Sequence, residues 1–162
     1  RDLHLSLRRQ RQMCIRDRLT GVIPGDIHRL KNMEEVWLSN NQFSGHLPYQ
    51  IYSLKNLTHL NLSSNKLSGN LSEAVGDLQH LVYLNLWDND ISGTIPRDIG
   101  DLSKLEFLSL GKNKIRGTIP TEIGNLNYLS KLNLNTCSSI FILTLLPIRN
   151  DSLLIKGIIR RG

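Results

Sequence analysis

Cysteines, aromatic residues and long apolar runs are all scarce in this chain of 162 residues. The two cysteines, Cys14 and Cys137, are too few for a disulfide framework or for a cysteine-based zinc site. The longest apolar stretch, residues 140–148, is interrupted by Thr144 and Pro147 and has about half the length of a membrane-spanning helix. We therefore predict no membrane span in this fragment. Its 40% hydrophobic content still excludes wholesale disorder.

The net charge of +6 is unevenly distributed along the chain. Residues 1–18 contain six arginines and two aspartates, which account for +4 of the total. Residues 19–136 contain ten basic and eleven acidic side chains, and residues 137–162 contribute +3. Because the long central segment is nearly neutral, it lacks the field that attracts phosphates, and no nucleic-acid partner is predicted.

The first 18 residues read RDLHLSLRRQRQMCIRDR and show no hydrophobic periodicity. This stretch resembles a sequencing adaptor translated in frame, and the match covers ten consecutive residues, 8–17. We interpret residues 1–18 as an artefactual or disordered leader and expect it to make no stable contact with the rest of the chain. A basic arm that binds nucleic acid is the less favoured interpretation.

From residue 19 to residue 136 the chain follows a period of 24 residues, the signature of a repeat architecture. Leucine, glycine, asparagine and proline each recur at this interval: Leu30, Leu54, Leu78, Leu102 and Leu126; Gly21, Gly45, Gly69, Gly93 and Gly117; Asn41, Asn65, Asn89 and Asn113; Pro24, Pro48, Pro96 and Pro120. Departures are few. Met33 and Val36 replace leucine, and Ser72-Glu73-Ala74 replaces one proline-containing turn.

This period predicts three segments. Residues 19–136 form a repeat domain with four full repeats, 30–53, 54–77, 78–101 and 102–125, and a partial repeat at each end. From Cys137 the spacing is lost, so residues 137–162 are predicted as a non-repeat tail. The tail is non-coding or frame-shifted sequence, a divergent terminal repeat, or a linker toward a membrane segment. Because repeats are stable only between neighbours and neither end carries a cap, we expect the chain to be the interior of a longer protein.

Each repeat contains a short alternation, such as Leu60-Asn61-Leu62, that predicts one strand with apolar residues facing inward. Stacked strands of this kind form a parallel sheet on one face. An asparagine follows each strand where the chain turns away from the sheet. We expect its buried amide to bond backbone groups of its own coil and of the next coil. The predicted asparagine ladder consists of Asn41, Asn65, Asn89 and Asn113.

The complete pattern, LxxLxxLxLxxNxxSGxIPxxIGxL, resembles the leucine-rich repeat of plant type, and residues 102–125 show it clearly. The resemblance implies an α/β solenoid: a right-handed superhelix with a parallel β-sheet on the concave face and irregular or 3-10 segments on the convex face. It also implies the extracellular part of a receptor-like kinase or receptor-like protein in signalling or defence. Such a module binds a peptide, protein or small-molecule ligand, recruits a co-receptor, and is anchored in the plasma membrane by parts outside this fragment.

Catalytic signatures are missing from the sequence. No metalloprotease, phosphate-binding, nucleophile-elbow or kinase motif is present, so we predict no catalytic residue, no metal site and no cofactor. Any kinase domain would lie outside this fragment. Two alternatives to a receptor remain open: a secreted leucine-rich repeat inhibitor of cell-wall-degrading enzymes, and an intracellular scaffold.

Four of the nine aromatic residues fall at strand positions that point off the concave sheet, where the core does not need them. Aromatic residues are favoured anchors at binding surfaces. The predicted ligand-binding or partner-binding residues are Trp37, His59, Tyr83, Asn85, Trp87, Asp88, Phe107 and Lys112. The alternative is a ridge of aromatic rings that support one another across the strands.

Three sequons in the repeats predict N-glycosylation at Asn56, Asn61 and Asn70, and thus an extracellular or cell-surface location. A glycan on Asn61 would shield Trp37. For this reason the contact patch is expected on the third and fourth full repeats, residues 78–125.

Overall fold

The computed structural model describes residues 19–135 and, beyond them, two backbone strands, Gln12–Cys14 and Ser139–Phe141. Each complete coil contains a strand, a second short strand and a 3-10 helix of five residues. The larger sheet has six parallel strands, β1 (Gln12–Cys14), β3 (Glu35–Trp37), β5 (His59–Asn61), β7 (Tyr83–Asn85), β9 (Phe107–Ser109) and β11 (Lys131–Asn133), adjacent in this order. This sheet forms the concave face of the predicted solenoid.

The larger sheet keeps the 24-residue register of the sequence. Leu60 pairs with Leu84, and Leu84 pairs with Leu108, so equivalent positions stack from coil to coil. In β3, β5, β7, β9 and β11 the middle residue is buried and its two neighbours face outward. Because side chains alternate across a strand, a strand of three residues places one leucine in the core and two side chains on the concave surface.

Two smaller parallel sheets accompany the larger one and were not predicted from the sequence. The first has four strands, β2 (Thr20–Val22), β4 (Gln42–His46), β6 (Lys66–Asn70) and β8 (Asp90–Ser92). The second has two, β10 (Arg116–Thr118) and β12 (Ser139–Phe141). In β4, β6 and β8 only one residue, such as Leu67, is buried, and the glycine two positions later has a positive φ; β2 and β10 contain no buried residue. One apolar residue is too short a signal for period-two alternation.

The 3-10 helices occupy the convex side, at Gly25–Arg29, Tyr49–Ser53, Glu73–Asp77, Arg97–Asp101 and Thr121–Asn125. The fold class is therefore the predicted leucine-rich repeat solenoid. Apolar residues of both strands and of the helices meet in one continuous core that includes Leu62, Leu86, Leu110, Ile99 and Ile123. Full burial of such side chains stabilises by about 1.5–3 kcal/mol each.

Buried asparagines connect the coils, and Asn89 shows the pattern. Its Oδ1 accepts a hydrogen bond from the backbone N–H of Leu67 at 3.0 Å. Its Nδ2 donates to the carbonyl oxygens of Leu62 and Leu86 at 3.0 and 3.1 Å. Leu62 and Leu67 belong to the preceding coil, so the amide joins its own coil to the preceding one and not, as expected above, to the next. Equivalent bonds are made by Asn41, Asn65 and Asn113.

Beyond residues 19–135, one backbone strand pairs with the repeats at each end. Gln12–Cys14 pairs in parallel with Glu35–Trp37, although no contact with the repeats was expected for residues 1–18. An open sheet edge accepts any extended segment, because the pairing uses backbone groups alone. Similarly, the backbone strand Ser139–Phe141 pairs in parallel with Arg116–Thr118. The remaining residues of the leader and the tail lie outside the described part of the chain.

At the one repeat position that lacks proline, Ser72 lies beside the buried Tyr52. Ser72 has φ −76° and ψ 148°, close to the values at Pro48 and Pro96, so the backbone itself would accept proline. However, Tyr52 of the preceding coil is buried beside it. Burial raises the pKa of Tyr52 to about 12, and a hydrogen bond with the backbone of Ser72 lowers it in part. A backbone group that lowers a phenol pKa must be an N–H donor, which proline lacks.

We therefore expect Ser72→Pro to destabilise the domain, although it restores the repeat consensus. The loss should be about 1–3 kcal/mol, because the buried Tyr52 oxygen loses its donor and Ala74 N–H loses the Ser72 hydroxyl that caps it. In a Tyr52→Phe background the same substitution should cost less. Urea unfolding of the two single variants and the double variant measures this coupling. Equal costs in both backgrounds would show that Ser72 acts independently of Tyr52.

Candidate ligand-recognition surface

An aromatic ridge crosses the concave sheet from the first to the fourth full repeat. We define it as Trp37, His59, Tyr83 and Phe107, which lie on β3, β5, β7 and β9. The Tyr83 and Phe107 rings are 4.4 Å apart at an angle of 11°, and His59 stacks on Tyr83 at 5.9 Å. Trp37 contacts both His59 and Tyr83, at 5.9 and 5.4 Å.

The stacking decides what the aromatic ridge can offer to a ligand. Since neighbouring rings cover one another's faces, the ridge presents mainly ring edges and polar atoms. All four rings are half-buried, so they support one another and still remain accessible. The rings therefore pack against one another, as one sequence-based alternative required, and also keep part of their surface accessible, as the other required.

Three polar atoms of the aromatic ridge are already engaged inside the protein, and one of them, Tyr83 Oη, accepts from Asn85. The indole Nε1 of Trp37 donates to Glu35 Oε2 at 2.8 Å. Nδ1 of His59 lies 2.9 Å from Thr58 Oγ1, whose hydroxyl donates to the Glu34 carbonyl at 2.9 Å. Sequence reasoning missed the roles of Glu35 and Thr58. The role of Thr58 depends on a carbonyl 24 residues earlier, which no local motif reveals.

A charged cluster lies beside the aromatic ridge, around Trp87. Lys112 Nζ is 4.8 Å from the Trp87 ring centroid and 2.8 Å from Asp88 Oδ1. Ser64 Oγ donates to Asp88 Oδ2 at 3.3 Å. Lys112 is exposed, and ion pairs of this kind contribute about 0–1 kcal/mol. A ligand can therefore displace Lys112 from the indole at little cost.

Backbone geometry keeps the charged cluster on the surface. Asp88 and Lys112 have φ values of 59° and 54°, in the left-handed region that non-glycine residues rarely adopt. Each directly precedes a ladder asparagine, so the left-handed residue stays accessible while Asn89 or Asn113 turns into the core. Asn40 and Ser64 have the same conformation in the first two full repeats.

Asn85 connects the two parts of this surface. Its Nδ2 donates to Tyr83 Oη and its Oδ1 accepts from the Trp87 backbone N–H, both at 3.1 Å. The structure thus brings together all eight side chains predicted to bind a partner. However, Asn85 is engaged with its neighbours on both sides and acts through them.

The three predicted glycosylation sites differ in accessibility. Asn56 and Asn70 are exposed. Asn61 is only 8% exposed, and its Oδ1 accepts hydrogen bonds from both the N–H and the hydroxyl of Ser63. In the folded domain this low exposure disfavours a glycan on Asn61, and with it the shielding of Trp37. Occupancy at the three sites stays a prediction.

Other possible sites lie apart from this surface. A groove of about 610 Å³ between the third and fourth full repeats is lined by residues such as Ile95, Pro96, Ile119 and Pro120, and includes none of the predicted contact residues. Within the described residues, no group of three or more histidine, cysteine, aspartate or glutamate side chains could hold a metal ion. No helix among them is long and apolar enough to cross a membrane.

Parallel sheets, asparagine ladder and 24-residue coils together define a leucine-rich repeat solenoid of plant type. The family model described as leucine-rich repeat region matches residues 51–147, and a second leucine-rich repeat model matches residues 32–54. The chain belongs to the leucine-rich repeat family. The longer match extends eleven residues beyond the predicted end of the repeats at residue 136. The chain matches no curated protein.

Solved structures of plant proteins resemble the chain closely. The ectodomain of the receptor kinase GASSHO1/SCHENGEN3 from Arabidopsis thaliana, in complex with CASPARIAN STRIP INTEGRITY FACTOR 2, is 35% identical over 75% of this chain and 15% of its own, with a TM-score of 0.74. The Arabidopsis receptor kinase HAESA, in complex with the peptide hormone IDA and the co-receptor SERK1, is 33% identical over 78% of this chain and 21% of its own, with a TM-score of 0.75.

A plant ice-binding protein is also similar, at 31% identity over 75% of this chain and 39% of its own, with a TM-score of 0.70. The same solenoid therefore serves different functions, and the surface residues must distinguish them. The chain spans only 15–39% of the length of these three structures.

Proposed function

We propose that the chain is a ligand-recognition segment from the extracellular domain of a plant receptor-like kinase or receptor-like protein. It binds a peptide or protein ligand, without catalysis, on the concave face, where the aromatic ridge of the first to fourth full repeats lies beside the charged cluster of the third and fourth. The observation that carries this proposal is the half-exposed aromatic ridge beside the cluster of Trp87, Asp88 and Lys112.

The mixture of apolar and charged groups on this surface suits a peptide better than a wholly apolar ligand. Ring edges and indole provide apolar contact area, while Lys112 and Asp88 supply one charge of each sign at the margin. Aromatic anchors in such a setting contribute most of the binding energy at protein interfaces. The similarity to GASSHO1/SCHENGEN3 and HAESA, both solved with bound ligands, supports the same use of the solenoid here.

Peptide binding can be tested with the full chain and a phage-displayed library of random dodecapeptides. Binders selected by panning should lose at least tenfold in affinity on Phe107→Ala, measured by calorimetry, because this ring carries the fourth-repeat end of the ridge. Tyr49→Ala is the matched control, since Tyr49 is 68% exposed and lies on a convex 3-10 helix. A library without binders, or binders that depend on Tyr49 and not on Phe107, would contradict the proposal.

Expression in a secretory plant host should attach glycans to Asn56, Asn70 or both, and leave Asn61 bare. The two exposed amides have room for a glycan, and the buried one does not. Mass spectrometry of peptides from the folded, secreted protein measures occupancy at each site. Absence of glycan at both Asn56 and Asn70 would favour the intracellular scaffold, and a glycan on Asn61 would contradict the described burial of its side chain.

A further inference from the structure

The amide of Asn85 has a single possible orientation. A backbone N–H can only donate, so the amide oxygen of Asn85 must face the Trp87 N–H, at 3.1 Å. The amide nitrogen must then face Tyr83 Oη, also at 3.1 Å. Asn61 and Asn133 repeat the first contact, since the Oδ1 of each accepts from the N–H two residues later. Among the coils that the structure describes, only that of Asn85 combines this contact with a tyrosine two residues earlier.

This orientation determines the polarity of the Tyr83 hydroxyl. The Nδ2 of Asn85 is a donor without a lone pair, so Tyr83 Oη must be the acceptor of their hydrogen bond. The hydroxyl hydrogen of Tyr83 then points away from Asn85. Because the Tyr83 side chain is half-exposed on the concave face, it offers a hydrogen-bond donor to a partner.

His59, beside Tyr83 in the paired strand, has the opposite polarity. The hydroxyl of Thr58 donates to the Glu34 carbonyl, so the Thr58 oxygen accepts from Nδ1–H of His59. The neutral ring then carries its hydrogen on Nδ1 and a lone pair on Nε2. The register pairs His59 directly with Tyr83, and adjacent strands are about 4.8 Å apart. A donor and an acceptor are therefore adjacent on the ridge.

We propose that Tyr83 and His59 recognise an amide group of the ligand, and that Asn85 is the positioning residue that sets this polarity. The amide carbonyl accepts from the Tyr83 hydroxyl, and the amide N–H donates to Nε2 of His59. A peptide bond or a glutamine or asparagine side chain supplies both groups. This inference rests on the proposed peptide recognition, and it identifies the two atoms that form hydrogen bonds with the ligand.

The internal hydrogen bond can be tested without a ligand. In the ¹⁵N-labelled full chain, one side-chain amide proton of Asn85 should lose its hydrogen-bonded chemical shift on Tyr83→Phe. The side-chain amide of Asn61 is the matched control and should not change. An unchanged Asn85 resonance would overturn the inference, because Nδ2 would not be donating to Tyr83.

The peptides selected from the phage library then test whether the Tyr83 hydroxyl donates a hydrogen bond to the ligand. Tyr83→Phe should weaken binding about three- to tenfold, the range for one neutral hydrogen bond. Asn85→Asp should weaken it similarly, because a carboxylate still accepts the Trp87 N–H but draws the Tyr83 hydroxyl hydrogen inward. Asn133→Asp adds the same charge at an equivalent position without a tyrosine, and should leave affinity within twofold.

The outcomes separate this inference from the proposed function. Peptides that bind the concave face but tolerate Tyr83→Phe overturn the inference and leave peptide recognition intact. Peptides that lose affinity on Tyr83→Phe but keep it on Asn85→Asp also overturn it, because the hydroxyl would then be the acceptor. A library without binders contradicts the proposed function and, with it, the assigned ligand.

Discussion

Leu86→Ala should lower the free energy of unfolding by about 2–5 kcal/mol, while Trp87→Ala at the next position should lower it by clearly less. Leu86 is completely buried, so its truncation leaves a cavity between coils. Trp87 is half-exposed, and its loss removes the contact with Lys112, worth about 0.5–1 kcal/mol at an exposed site. Guanidinium unfolding of both variants measures the difference.

The two substitutions should have the reverse order of effect on binding. Trp87→Ala should cost a selected peptide or a co-receptor ectodomain about 2 kcal/mol or more, typical of a central aromatic anchor. Leu86→Ala, assayed at a temperature where it is still folded, should bind nearly as well as the unsubstituted chain. If Trp87→Ala unfolds the domain but spares binding, Trp87 is a packing residue and the proposed contact patch is incorrect.

Asn89→Ala should destabilise the domain by about 2–4 kcal/mol, and Asn85→Ala by about 1 kcal/mol. Loss of the Asn89 amide leaves the buried N–H of Leu67 without a partner. The carbonyl oxygens of Leu62 and Leu86 lose one of their two bonds and keep those from Asn65 and Asn113. Each unsatisfied buried group costs about 1–3 kcal/mol, although the costs are not additive. Asn85 supports only the Trp87 N–H and the Tyr83 hydroxyl, which water can reach in part.

Asn113→Ala is the matched control for the asparagine ladder, because its amide makes the same set of bonds one coil later. It should reproduce the effect of Asn89→Ala within about 1 kcal/mol in denaturant titration. Equal effects of Asn89→Ala and Asn85→Ala would contradict the assignment of Asn89, and not Asn85, to the ladder.

Much of the fold follows from the sequence because its interactions repeat. The spacing of Leu60, Leu84 and Leu108 places one core residue per strand, and the structure stacks them in register. The asparagine ladder could be predicted equally well, because a polar residue buried among leucines must form hydrogen bonds, here with the backbone. The four-stranded sheet escaped prediction because Leu67 is the one buried residue of its strand.

The sequence identified which residues belong to the candidate site but not how their side chains are arranged. Trp37, Tyr83, Trp87 and Phe107 stand at outward positions, and alternation alone places them on one face. Their stacking depends on the 4.4–5.9 Å separations that the paired strands impose. Asn61 has the same phase as Asn85, yet only the structure shows that it is buried while its counterpart is half-exposed.

The sequence by itself determined the 24-residue coil, the parallel concave sheet, the asparagine ladder and the membership of the aromatic face. These features rest on residue type at a fixed interval, and each coil meets the same requirement for burial and backbone pairing. The tertiary structure alone decided the direction of the ladder bonds, the pairing of Gln12–Cys14 at the sheet edge, and the need for Ser72 beside Tyr52. It also decided the polarity of Tyr83. Such features depend on atoms that meet across coils, about 22 to 27 residues apart in the chain, where a single sequence carries no record of which group donates and which accepts.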